Sequence, residues 1–282
     1  MVFNAKAFAK TNLFLKVLGK RDDGYHEIDT VMQSLSVHDD VSLELTDNGI
    51  TVTCDKTELS GEDNIAGKAC ELFFEFAELK CGAKVHIVKR IPVAAGMGGG
   101  SADAAAVLLL LNKATGKNYP ASALLKLAKQ LGADVPFFLE GGCARATGIG
   151  EKLSKLDFCK MYFVFTKELE KQSTKRMYEI LDSHNAEVDV TVDRMVSELK
   201  AGNAERVAHE IYNSFELCWD MNSMAKPFEK YEPSKVFLSG SGPTVGAVFL
   251  NKEQAVRCAD ELKANGYNAF YAESVQQGVM FE

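Results

Sequence analysis

The sequence predicts a mixed α/β (α+β) fold, and three observations carry that expectation. The first 55 residues alternate as strands do, a strand over residues 84–91 runs through a glycine-rich loop straight into a helix apolar on every side, and strand and helix patterns then interleave to the C-terminus. At 282 residues the chain holds one large domain or two modest ones. Hydrophobic residues make up 46% and charged residues 25%, with six prolines, a composition that builds a core and excludes disorder as the main state.

Each element follows from local pattern. Residues 8–18 place Asn12, Phe14, Lys16 and Leu18 on one side of a strand and Leu13, Leu15 and Val17 on the other. The segment Gly19-Lys-Arg-Asp-Asp-Gly-Tyr-His carries turn formers and exposed charge, so a hairpin follows. Asp39-Asp40 and Asp47-Asn48-Gly49 read as further turns, flanking a strand at 41–45 and leading into another at 50–54. Residues 64–76 have helical spacing, with Ile65, Ala69, Leu72, Phe73 and Phe76 on one stripe. The strand over 84–91 ends at Pro92, the glycine loop spans 94–101, and the buried helix spans 102–114. A helix over 122–131 stops at Gly132, and residues 133–138 form a short connection into Gly141-Gly142 and a strand at 143–147. A strand at 161–166 and helices at 173–181, 191–200 and 204–212 come next. Residues 236–250 form two buried strands joined by a glycine turn, followed by a helix at 252–265 and a strand at 269–274. The charged stretch Gly150-Glu-Lys-Leu-Ser-Lys puts a domain boundary between residues 150 and 160.

The net charge is −7 and no block of Lys or Arg occurs, which argues against nucleic-acid and anionic-membrane partners, since phosphates are held by clustered cations. The longest apolar run, residues 104–111, is far below the roughly 18 residues of a membrane span, and the first ten residues lack a signal-peptide pattern, so the expectation is a cytoplasmic protein. Seven widely spaced cysteines, with no C-x-x-C pair and no histidine at zinc-ligand spacing, read as reduced thiols.

The chemistry concentrates in two glycine loops. Ala94-Ala-Gly-Met-Gly-Gly-Gly-Ser101 feeds a helix N-terminus, where backbone N–H groups and the positive end of the helix dipole suit a di- or triphosphate. Ser101 adds a hydroxyl for a phosphate or for a phosphate-bound magnesium ion. The loop matches neither a Walker pattern nor a dinucleotide fingerprint, and close packing is the competing reading. The second loop, Ser239-Gly240-Ser241-Gly242-Pro243-Thr244, reads alone as a tight hairpin. Two such loops in one chain point to nucleotide phosphates on one and substrate phosphates on the other.

Lys10-Thr-Asn12-Leu-Phe-Leu, Gly24-Tyr25-His26, Pro92-Val-Ala-Ala-Gly96-Met-Gly98-Gly99-Gly100-Ser101, Leu131-Gly-Ala-Asp134-Val-Pro and Ser239-Gly-Ser-Gly-Pro-Thr occur in the order of the galactokinase, homoserine kinase, mevalonate kinase and phosphomevalonate kinase (GHMP) superfamily, which the chain resembles from about residue 5 to 250. Gly-Tyr-His and Gly-Ala-Asp-Val-Pro are the discriminating motifs. They resemble the branch that phosphorylates a cytidine-diphosphate-linked methylerythritol in non-mevalonate isoprenoid synthesis.

The resemblance implies a ribosomal-protein-S5-like N-terminal domain over residues 1–155 and a ferredoxin-like C-terminal domain over 156–282, the last strand being free to return to the first domain. The active site would lie between them. It implies ATP and Mg2+ as cofactors, a small-molecule acceptor, no nucleic-acid or membrane partner, and a monomer or homodimer. The ATP phosphates fall to Pro92, Val93, Ala94, Ala95, Gly96, Met97, Gly98, Gly99, Gly100, Ser101 and Ala102, with Ser101 toward the metal. A tertiary alcohol is a poor nucleophile at pH 7, so Asp134 is assigned as its base, with Lys10 keeping Asp134 ionised and stabilising the developing alkoxide or the transferring phosphoryl group. Asn12 orients substrate, Tyr25 stacks on cytosine, His26 bonds its edge, Tyr178 is a second stacking residue, and Gly240, Ser241 and Gly242 hold substrate. Taken singly, Asp134 reads as a helix-terminus residue and Lys10 as a solvated strand lysine. Three positions depart from the family pattern. Ala102 stands where relatives carry a serine, Ser214 where many carry Asp, and Met97 replaces a leucine of similar volume. A homoserine- or mevalonate-type kinase and an inactive nucleotide-binding relative are the alternatives.

Overall fold

The computed structural model describes residues 1–61, 63–167, 173–184 and 189–282. Two sheets organise the chain. Strands β1 (Val2–Lys20) and β2 (His26–Thr46) form a long antiparallel hairpin whose register shifts at Phe8/Ala9, Asn12/Phe14 and Val17/Gly19. Such irregularities bend a ribbon and let its two halves take different neighbours. The outer half of β2 pairs with β4 (Gly82–Val88), which pairs in parallel with β3 (Ile50–Cys54). Its inner half pairs with β5 (Cys143–Gly148), which is joined to β6 (Lys152–Leu156). A second, fully antiparallel sheet uses β7 (Tyr162–Thr166) and three later strands.

Four helices belong to the first half of the chain: α1 (Ile65–Ala77), α2 (Gly99–Ala114), α3 (Ala121–Leu131) and α4 (Val135–Glu140). Helix α2 is the centre of the core. Ala104, Ala105, Ala106, Val107, Leu108, Leu110 and Leu111 have no exposed surface, as the unbroken apolar sequence requires. The second half carries α5 (Thr174–Asp182), α6 (Asp193–Lys200), α7 (Ala204–His209), the short strand β8 (Tyr212–Asn213) and α8 (Met221–Ala225). Strands β9 (Lys235–Leu238) and β10 (Val245–Phe249), helix α9 (Lys252–Ala264), β11 (Ala269–Glu273) and β12 (Val279–Phe281) complete it. The second sheet has the order β11-β7-β10-β9. Strand β8 adds in parallel to β1 at Phe14 and Leu15, and β12 pairs with β1 at Ala5–Ala7, so the first sheet draws on both ends of the chain.

Two expectations need correction. Asp39-Asp40 is not a turn, because β2 runs through it. The Asp39 side chain is fully buried and accepts hydrogen bonds from the N–H groups of Arg90 and Ile91 and from Lys89, which supply what water would otherwise provide. Residues 133–138 are not a simple connection either, since α4 begins at Val135. Pro136 sits in its first turn, where the missing N–H has no intrahelical partner to lose. All seven cysteines are unpaired thiols. Among the described residues no helix is long and apolar enough to cross a membrane.

Candidate active site

A cleft of about 730 Å³ opens beside the N-terminus of α2 and takes residues from both halves of the chain. One wall is the first glycine loop. Gly96 and Gly98 have φ of +73° and +74°, a region that costs an L-residue its Cβ clearance. A Cβ on Gly98 would also lie 2.5 Å from the Phe138 ring, and one on Gly96 would lie 2.7 Å from the Ser239 carbonyl oxygen. The glycines therefore serve conformation and close approach together. Gly98 is the N-cap and offers no side chain, and the first intrahelical bond runs from the Ala102 N–H to the Gly98 carbonyl. The N–H groups of Gly99, Gly100 and Ser101 are the open ones at the positive end of a 16-residue helix.

The same bond explains the Ala102 departure. Its N–H is already used within the helix and its methyl has no exposed surface, so a hydroxyl on this side chain would point into the core rather than toward phosphates. Ser101 is partly exposed and lines the cleft. Met97 is buried, and its carbonyl accepts from the Lys10 N–H at 3.0 Å, tying the loop to β1.

Lys10 and Asp134 meet in the cleft. The Lys10 ammonium is 3.5 Å from the Asp134 carboxylate, with side-chain exposures of 7% and 38%. Asp134 does stand at the N-terminus of α4, but its side chain caps nothing and turns to Lys10, leaving a half-open carboxylate in the cleft. Lys10 also donates to Asn12 Oδ1 at 2.8 Å. Asn12 Nδ2 donates to Thr30 Oγ1 at 2.7 Å, and Thr30 donates to the Phe14 carbonyl. Both ends of the Asn12 amide are thus engaged, and the chain Thr30-Asn12-Lys10 aims the ammonium.

Of the three residues expected to meet the base, only Tyr178 lines the cleft; His26 is joined to it through the Tyr178 ring, and Tyr25 is not part of the lining. Tyr25 is 61% exposed on the loop before β2, whereas His26, the first residue of β2, is buried. Tyr178 on α5 stacks on the His26 ring at 4.3 Å and meets Phe215 edge-on at 4.9 Å. Burial pushes the Tyr178 phenol up to about 12, with the charges of Asp134 and Asp182 adding to the effect, so Tyr178 lies within electrostatic reach of Asp134.

The second glycine loop lies against the first. Gly240 and Ser241 line the cleft, while Gly242 packs on Trp219 behind it. Asn213, which the sequence analysis did not single out, holds this loop. Asn213 is buried and donates through Nδ2 to the Leu238 carbonyl at 2.8 Å and the Gly240 carbonyl at 2.7 Å, while Oδ1 accepts from the Phe215 N–H at 2.9 Å. The departing residue Ser214 accepts from the Val17 N–H at 3.1 Å, so it anchors the end of β1.

Two further residues went unrecognised. Lys89 bridges Asp39 and Asp103 beneath the glycine loop, and Lys89 and Asp103 both line the cleft. Burial alone would lower the Lys89 ammonium, but the two carboxylates outweigh it and hold it above its ordinary value. Burial, reinforced by Asp39, pushes the Asp103 carboxyl up to about 8 despite Lys89, because one ammonium cannot neutralise two buried carboxylates. The available signal was Asp103 itself, a charge within the apolar run of a helix that the pattern requires to be buried. Asn64 lines the cleft and also caps α1 by accepting from the Ala66 N–H.

Comparison with known proteins identifies the family. Residues 64–142 match the GHMP kinases N terminal domain and residues 195–268 the GHMP kinases C terminal domain. The 4-diphosphocytidyl-2-C-methyl-D-erythritol kinase of Caldicellulosiruptor saccharolyticus is 39% identical over 92% of each chain. This chain belongs to that family of GHMP kinases. The Clostridium botulinum member is 36% identical over 96% of this chain and 100% of its own. A crystal structure of a 4-(cytidine 5'-diphospho)-2C-methyl-D-erythritol kinase superposes with a TM-score of 0.81 at 30% identity, covering 96% of this chain and 98% of that one. Homoserine kinase from Cytophaga hutchinsonii, with a TM-score of 0.79, 18% identity and coverage of 100% and 97%, shares the two-domain mixed α/β fold.

Proposed function

We propose that this chain transfers the γ-phosphoryl group of ATP to the 2-hydroxyl of 4-diphosphocytidyl-2-C-methyl-D-erythritol, a step of isoprenoid precursor synthesis by the non-mevalonate route. The observation that carries the mechanism is the Lys10–Asp134 pair at 3.5 Å in a cleft walled by two glycine loops. The Asp134 carboxylate accepts the hydroxyl proton as the oxygen attacks phosphorus, and Lys10 stabilises the charge on the moving phosphoryl group. Asn12 acts through Lys10, to which its carbonyl is bonded. The open N–H groups of Gly99, Gly100 and Ser101 bind ATP phosphates, and Gly240 and Ser241 bind the acceptor's diphosphate. Tyr25, His26 and Tyr178 bind the cytosine; the stacked His26–Tyr178 pair, with Tyr178 lining the cleft, supports this acceptor over homoserine or mevalonate, which carry no base. Residues 1–155 form the nucleotide domain and residues 156–282 the second, with Val279–Phe281 returned to the first sheet.

The donor set suits magnesium as the nucleotide's companion. Among the described residues no three His, Cys, Asp or Glu side chains gather, so the chain builds no cage of its own. The Ser101 hydroxyl is the oxygen offered beside the phosphate loop, in keeping with an ion held mainly by phosphates and water. Bound there, magnesium would neutralise phosphate charge. An ADP-release assay with magnesium-ATP, comparing the cytidylated acceptor with homoserine, mevalonate and galactose, tests the reading. Turnover confined to the cytidylated acceptor is expected, and turnover with another acceptor or with none refutes it.

A further inference from the structure

His26 packs on Tyr178, which lines the cleft, and the structure treats the two ring nitrogens of His26 differently. Nε2 lies 2.8 Å from Asp182 Oδ1, while Nδ1 bonds to none of the described residues. Tyr178 stacks on the ring face at an interplanar angle of 17°. Asp182 and Tyr178 are four apart on α5, hence on one face of the helix, so a single helix supports His26 both in its plane and on its face. An ionised carboxylate only accepts hydrogen bonds, so the shared proton resides on His26 Nε2. In the neutral imidazole Nδ1 is then a bare lone pair, an acceptor by default.

We propose that Asp182 is a specificity-determining positioning residue that acts through His26. By fixing the Nε2–H tautomer it presents Nδ1 as an acceptor, which matches the exocyclic amine of cytosine and opposes the carbonyl oxygen that uracil carries at the same position. The inference rests on the reading of His26 as a base contact, and it adds a residue from the other half of the chain. Without Asp182 the ring can take either tautomer, and the Nδ1–H form would serve uracil as well as cytosine.

The test uses the full-length protein and its Asp182→Ala and Asp182→Asn variants, the second retaining an oxygen acceptor for Nε2–H. With a non-hydrolysable ATP analogue saturating the nucleotide site, cytidine 5'-diphosphate and uridine 5'-diphosphate are titrated, and a long-range proton–nitrogen spectrum reads the His26 tautomer directly. Wild type and Asp182→Asn should show Nε2–H and prefer the cytidine compound. Asp182→Ala should mix the tautomers and lose about tenfold of that preference, the size of one charge-assisted hydrogen bond. In turnover the same variant should raise KM for the cytidylated acceptor with little change in kcat. An unchanged tautomer and preference in Asp182→Ala overturns the proposal. If wild type discriminates the two diphosphates but does not phosphorylate the cytidylated acceptor, the functional reading falls and the role of Asp182 stands.

Discussion

Replacing Asn213 by alanine removes three hydrogen bonds at one stroke, to the Leu238 and Gly240 carbonyls and from the Phe215 N–H, at a site with 2% exposure. Each bond contributes a net of about 1 kcal/mol, and each partner left dry adds a desolvation cost, so the variant should lose about 3–5 kcal/mol. For a chain of this size that corresponds to a fall in Tm on the order of 10 °C. Asn213→Asp preserves the shape of the side chain but not its chemistry. It keeps the acceptor for Phe215 yet sets a carboxylate oxygen against two carbonyl oxygens, so it should be worse than alanine. The loss should reach the cleft, because Gly240 is held there by this amide, and KM for the acceptor should rise. Urea unfolding with a check that the m-value is unchanged, together with acceptor titration, reads both effects. Asn213→Ala within about 1 kcal/mol of wild type, or Asn213→Asp more stable than Asn213→Ala, would refute the argument that this amide organises the second loop.

Other outcomes follow from the same geometry. Asp134→Asn should lower kcat by about 10²–10⁴ while leaving ATP affinity nearly unchanged, measured by ADP release and nucleotide titration; near-normal turnover would remove Asp134 from proton transfer. Gly98→Ala places a methyl 2.5 Å from the buried Phe138 ring at φ +74°. It should cost about 2–5 kcal/mol and weaken ATP binding, and a variant with wild-type Tm would show that the loop can relax. Because the Asp103 carboxyl is raised from an ordinary 3.8 to about 8, the folded state holds a proton there that the unfolded state has released. Stability should therefore fall as pH rises through that window. Asp103→Asn should flatten this slope in unfolding curves taken at stepped pH, and parallel curves for the two proteins would contradict it.

Much of the architecture was legible because it depends on neighbours in sequence. A strand, several glycines and an apolar helix were legible as a loop feeding a helix N-terminus, since the positive-φ turn and the open N–H groups are properties of ten consecutive residues. The second loop and the Tyr25-His26 turn were visible for the same reason. Where local pattern misled, a distant partner had changed the meaning of a residue. Asp39 looks like a turn former until Lys89 and two backbone N–H groups satisfy it inside the sheet, and Asp103 is unremarked until the same lysine meets it.

The order of residues along the chain was enough to establish the class of chemistry, the two glycine loops, the burial of α2 and the candidates Lys10 and Asp134. Packing was needed to show that Lys10 and Asp134 share a cleft, that Asn12 serves the lysine, that Ala102 faces the core, and that Asn213 and Asp182 hold a loop and a ring lying far from them in the chain. The physical reason is that helix dipoles, turns and periodic burial arise within one element, whereas an ion pair or a hydrogen bond to a distant carbonyl exists only once separate elements have packed and excluded water.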